Sequence, residues 1–96
     1  MIKRHQDRVK GVLPVKLLGT DAVGMPFQEI AHTLDITPNG ARIGAIRRRF
    51  QVEDRVVVGY RQRKIEFRIV WVKLLKDRGE YQVGLQTVAL GDAWRL

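Results

Sequence analysis

The chain has 96 residues, 45% of them hydrophobic, and sets 18 Lys and Arg against 10 Asp and Glu for a formal net charge of +8. That size supports one hydrophobic core and excludes two, the apolar fraction excludes wholesale disorder, and the absence of cysteine excludes a disulfide framework, a thiolate metal site and a cysteine nucleophile. So large a cation surplus in so short a chain points to a polyanionic partner, whether nucleic acid, nucleotide, anionic lipid or acidic protein.

Residues 1–10 are charged and show no helical stripe, so they read as an irregular, mobile basic arm. No apolar core succeeds Met1-Ile2-Lys3-Arg4-His5, so no signal peptide is expected. The longest uncharged hydrophobic stretch, Ile69-Val70-Trp71-Val72, is strand-like and far short of a membrane span. The expectation is a soluble, cytoplasmic protein without membrane insertion.

Val12 to Leu18 reads as a first strand, with Leu13, Val15 and Leu17 on one face. Pro14 lacks an N–H and suggests an edge or a bulge. Residues 19–26 are turn-rich, and Phe27 to Leu34 forms a second strand with Gln28, Ile30, His32 and Leu34 on one face. Asp35-Ile36-Thr37-Pro38-Asn39-Gly40 then reads as a turn, in which Asn39 and Gly40 tolerate positive φ. Ala41 to Ile46 gives a short strand with Ala41, Ile43 and Ala45 on one side, and Arg47-Arg48-Arg49 comes next. Glu53-Asp54 signals a turn, Arg55 to Tyr60 is a β-branched strand, and Arg61-Gln62-Arg63 is a polar connection.

Lys64 to Leu75 is the longest strand. Its early half puts Ile65, Phe67, Ile69 and Trp71 on one face, and Val70, Val72 and Leu74 later make the other face apolar as well. The tail, residues 89–96, is the candidate cover for that second face, with Trp94 as its anchor and Trp71 in the core. Asp77-Arg78-Gly79-Glu80 turns the chain into a last strand, Tyr81 to Val88. Six closely spaced strands without a long helix argue for a small antiparallel barrel or sandwich. Closure is favoured because short strands otherwise leave edges open.

Two short motifs carry chemistry. Arg4 and Arg8 lie four positions apart on the arm, and an arginine fork can donate two hydrogen bonds to guanine O6 and N7 or stack on a purine. The alternative is a solubilising basic tail. The Asp35–Gly40 stretch combines a hydrogen-bond acceptor, a hydroxyl at Thr37 and turn residues whose backbone N–H groups can converge on an anion. Its alternative is a turn chosen for its backbone angles alone.

Taken together, these motifs resemble the PilZ domain family of bacterial modules that bind cyclic di-GMP. The family pattern is Arg-x-x-x-Arg, a strand hairpin, then Asp or Asn, an apolar residue, Ser, two further residues and Gly. Arg4, Arg8, Asp35, Ile36 and Gly40 match it, and Thr37 stands where the family usually has Ser. The order and number of strands agree over nearly the whole chain, and the Val-Trp-Val strand with Tyr-Gln-Val-Gly-Leu-Gln after it is similar to the family's last two strands. The resemblance implies an all-β fold, a six-stranded antiparallel split barrel over residues 11–90. It would have a flexible basic arm at 1–10 and a short tail or helical turn at 91–96. It implies a cyclic di-GMP receptor whose arm orders over the ligand. Arg4 and Arg8 would hold guanine and phosphate, Asp35 would accept from the guanine edge, and Thr37 would donate to phosphate or base. Gly40 would admit the ligand to the backbone, with Asn39 and Arg42 beside it. No cofactor, metal or catalytic step is implied.

The competing expectation is a degenerate barrel of the same kind that docks a downstream protein partner. A nucleic-acid barrel is the weaker variant, because base stacking needs exposed rings and Phe67 and Trp71 read as core. Arg47-Arg48-Arg49 reads as a solvated loop, or else as an extension of the positive field. His5 and His32 have no acidic or cysteine partners at ligand spacing, so no metal site is expected. No set of residues supports an enzyme.

Overall fold

The computed structural model describes residues 9–10, 12–20, 23–88 and 94. They form seven strands: β1 Val9–Lys10, β2 Pro14–Thr20, β3 Pro26–Thr37, β4 Gly40–Ile46, β5 Arg55–Tyr60, β6 Arg63–Leu75 and β7 Glu80–Thr87. All pairings are antiparallel. The order β3-β2-β5-β6-β7-β4 closes where β4 pairs back onto β3, which makes a six-stranded barrel, and β1 adds to β3 beside β2. Closure gives every barrel strand a neighbour on both sides and removes the open edge that a flat sheet this small would expose. The described residues contain no helix, so the all-β expectation holds.

Alternation builds the core. Val15 and Leu17 of β2, Val56 and Val58 of β5, Phe67 and Ile69 of β6, and Val83 and Leu85 of β7 point inward at every second position and are buried. Three bulges break the alternation and re-aim the side chains beyond them. The β3–β4 register shifts between Thr33 and Asp35, so Ile36 joins the core and Asp35 turns away from it. The β4–β7 register shifts between Ile43 and Ile46, where Ala45 takes a φ of 64° and Ile46 rather than Ala45 is buried. The β6–β7 register shifts between Ile69 and Trp71. One extra residue in a strand moves every later side chain to the other face.

The β6 bulge corrects two expectations. Trp71 is not core: it lies opposite Gly84, 36% exposed, and a Cβ on Gly84 would fall 2.1 Å from the indole nitrogen. Val72 swings inward against buried Val83 and packs on the core, so the second apolar face needs no cover. Trp94 goes elsewhere. Its ring is buried against Phe67 and Tyr60, at centroid distances of 5.4 and 6.1 Å, and its indole N–H donates to the Gly40 carbonyl at 2.9 Å. The anchor role expected of Trp94 is therefore met, but on the core side. The remaining tail positions, 89–93 and 95–96, lie outside the described residues.

Two further boundaries differ from the sequence reading. Val9–Lys10 is not irregular but pairs with Ile36 and Asp35. The stretch from Asp35 to Gly40 is mostly strand: β3 runs through Thr37, β4 starts at Gly40, and only Pro38 and Asn39 form the turn.

Candidate functional site

The far end of β3 and the start of β4 hold the site. Ile36 pairs with Ala41, and both are core. Asp35 pairs with Arg42 one position on, so both side chains project from the opposite face, outside the barrel wall. The Arg42 guanidinium donates from Nε to Asp35 Oδ2 at 2.8 Å, and its Nη2 lies 2.7 Å from the same oxygen. The Asp35 side chain is only 1% exposed, whereas that of Arg42 is 42% exposed. A carboxylate this buried requires a charged partner to offset its desolvation, and Arg42 supplies one from directly across the ladder. The consequence for Arg42 is equally physical. A guanidinium tied at one edge keeps its plane in a set orientation, so its outer face is preorganised to stack on a ring or to meet an anion.

Thr37 is half-buried at the end of β3, opposite Gly40, and Asn39 is exposed in the turn. Neither Asn39 nor Gly40 has a positive φ. The barrel itself requires Gly40: a Cβ would lie 2.1 Å from the carbonyl oxygen of Leu85 on β7. The close approach it permits is that of a neighbouring strand. The Asn39 carbonyl accepts from the Thr87 N–H at 2.7 Å, so the turn is held to β7 on one side of Gly40 and to Trp94 on the other.

Arg4 and Arg8 lie outside the described residues. The chain that leaves them does not. Val9, next in sequence after Arg8, pairs with Ile36, and Lys10 pairs with Asp35. Just beyond, Leu13 and Thr33 hold the next stretch in place. The Thr33 N–H donates to the Leu13 carbonyl at 3.0 Å, and the Leu13 N–H donates to the Thr33 hydroxyl at 2.9 Å. Thr33 is fully buried and its hydroxyl replaces a ladder partner at the bulge.

Arg47-Arg48-Arg49 is not uniformly solvated. Arg47 and Arg49 are exposed. Arg48 lies over the Phe27 ring at 4.0 Å, next to the Phe27–Phe50 contact, and approaches Glu29 at 3.9 Å. His32 is half-buried on β3 between Pro14 and Gly44. Among the described residues no group of three or more His, Cys, Asp or Glu could hold a metal ion, and no helix is long and apolar enough to cross a membrane.

The four positions that the sequence singles out, Asp35, Thr37, Gly40 and Arg42, lie on one hairpin, but the Asp35–Arg42 ion pair was not foreseen. The signal was present in part, since Arg42 alternates with Ala41 and Ile43. The phase of Asp35 depended on a bulge that no residue in β3 announces. No protein-family model matches the chain, and no curated protein matches it.

Proposed function

We propose that the outer face around Asp35, Thr37 and Arg42 receives cyclic di-GMP, with Arg4 and Arg8 closing over it from the arm. One observation supports this reading above the others. Val9 and Lys10 pair with Ile36 and Asp35, so the chain emerging from the Arg-x-x-x-Arg pair is tied to the strand that carries the acceptor motif. In this reading two motifs far apart in sequence serve one surface. Asp35, 1% exposed beneath Arg42, opens to accept from a guanine edge, the Arg42 plane stacks on a base or meets a phosphate, and the Thr37 hydroxyl donates to the ligand. Ordering of the arm over the ligand is the output. Gly40 also serves the barrel, since a side chain there would meet β7.

The test is calorimetric titration with cyclic di-GMP, with cyclic di-AMP and GTP as controls. Removal of one bidentate arginine–guanine contact costs about 1–3 kcal/mol, so Arg8→Ala is expected to weaken binding by about tenfold or more. Equal affinity for parent and variant would count against the assignment.

A second reading rests on the ion pair itself. Arg42 already neutralises Asp35, which is what a barrel that keeps the motif for its own stability would need. Such a barrel docks a protein partner and gives flat isotherms with all three nucleotides.

A further inference from the structure

The outer wall of β3, β2 and β5 carries a groove of about 520 Å³ that the candidate site does not use. Register sets its floor. Lys16 pairs with Ile30 and with Gly59, while Leu18 pairs with Gln28 and with Val57. Their sequence neighbours Val15, Leu17, Ala31 and Val58 are buried in the core, so these residues face outward. Gly59 leaves a gap in this row. A Cβ there would meet nothing closer than Lys16 Cβ at 3.7 Å and Leu18 Cδ1 at 3.8 Å. The hollow therefore exists because one outward side chain is missing.

The charge on its walls is one-sided. Lys16, Arg61, Arg63 and Lys64 line the groove, and no carboxylate among the described residues does. Arg63 donates to the Trp94 carbonyl. Lys16, Arg61 and Lys64 make no ion pair with the described residues, whereas Arg42, Arg55 and Arg68 each have one. Apolar surface lies between the cations: Ile30 is 62% exposed and Leu18 is half-buried. At one end the Arg61–Gln62 turn holds φ values of 50° and 67°, which neither side chain favours.

We propose that this groove docks an extended acidic segment of a partner protein, with apolar residues interleaved among its carboxylates. Alternate side chains of an extended segment point the same way, which suits a trough whose cations and apolar surface are interspersed. Nucleic acid fits less well. Base stacking needs an open ring, and the one ring lining the groove among the described residues, Tyr60, is buried with the Arg61 guanidinium 5.2 Å from its centroid. The groove is distinct from the candidate nucleotide site: Ile30 and Asp35 are five positions apart on β3, roughly 15 Å along the strand.

The test uses a fluorescein-labelled peptide, Glu-Leu-Asp-Leu-Glu-Leu-Asp, monitored by anisotropy across a salt series, with its lysine counterpart and an oligo-dA strand as competing probes. The acidic peptide is expected to bind and to weaken as salt rises. Lys16→Glu combined with Lys64→Glu should weaken it by at least about tenfold, because like charges then face each other. Gly59→Val fills the hollow at a position where the backbone and the space both accept a side chain. It is expected to keep its thermal midpoint and lose the peptide. Arg78→Ala, an exposed position away from the groove, should leave peptide binding unchanged. No binding of the acidic peptide at low salt, indifference to both groove variants, or stronger binding of oligo-dA would overturn the proposal. Titration of Gly59→Val with cyclic di-GMP keeps the two sites apart, since the peptide result stands whichever way that titration falls.

Discussion

The two tightest hairpins of the barrel obey opposite rules. Pro38–Asn39 joins β3 to β4, and Arg61–Gln62 joins β5 to β6. The first has every local turn signal, with Pro, Asn and then Gly, yet none of those residues takes a positive φ. Proline explains why. Its ring holds φ near −65°, so the primed turns that match strand twist are closed to it. The hairpin is held from outside instead, by Thr87 on the Asn39 carbonyl, Trp94 on the Gly40 carbonyl and β7 against Gly40. The second hairpin has no turn signal, yet both central residues are left-handed, at 50° and 67°. Its paired strands impose the primed geometry, and Arg61 and Gln62 bear the strain. A turn rich in signals can thus be shaped by its tertiary neighbours, and a turn poor in them by its own strands.

That contrast can be broken most severely at Gly40. Gly40→Ala places a methyl group 2.1 Å from the Leu85 carbonyl oxygen, and the barrel can accept it only by parting β4 from β7. A loss of about 3 kcal/mol or more is expected in urea unfolding. A loss below about 1 kcal/mol would mean that β7 yields easily. The second hairpin should respond in the other direction. Arg61→Asn combined with Gln62→Gly relieves both left-handed residues and is expected to stabilise the fold by about 1 kcal/mol. That corresponds to a rise of about 4–8 °C in thermal midpoint for a domain of this size. An unchanged midpoint would place the strain elsewhere. The smallest effect belongs to Asn39→Ala. An exposed side chain at a non-left-handed position should change stability by no more than about 0.5 kcal/mol. A loss of about 1 kcal/mol or more, at the scale of a lost turn hydrogen bond, would restore a local role to the asparagine.

Much of the barrel was legible in the residues. Period-two runs such as Val15-Lys16-Leu17 and Arg55-Val56-Val57-Val58 locate strands without reference to anything distant. The acceptor and the hydroxyl of the candidate site were legible too, because Asp35 and Thr37 are recognisable by type and spacing. The phase of the wall was not. Trp71 read as core and lies outside, and Ala45 read as sharing a face with Ala41 and Ile43 where Ile46 is buried instead, because each sits at a bulge. The close approach of β7 to Gly40 was not legible either, since Leu85 lies 45 positions away in sequence.

Sequence alone therefore determined the six strands of the barrel, the cation surplus and the residue types available to an anion, since these depend on side-chain chemistry and local alternation; the added strand β1 was not among them. Tertiary structure alone decided which face each residue occupies after a bulge, which carboxylate Arg42 meets and where the Lys16–Gly59 groove opens. A bulge shows itself only when two strands are laid side by side and one is found to have a residue too many.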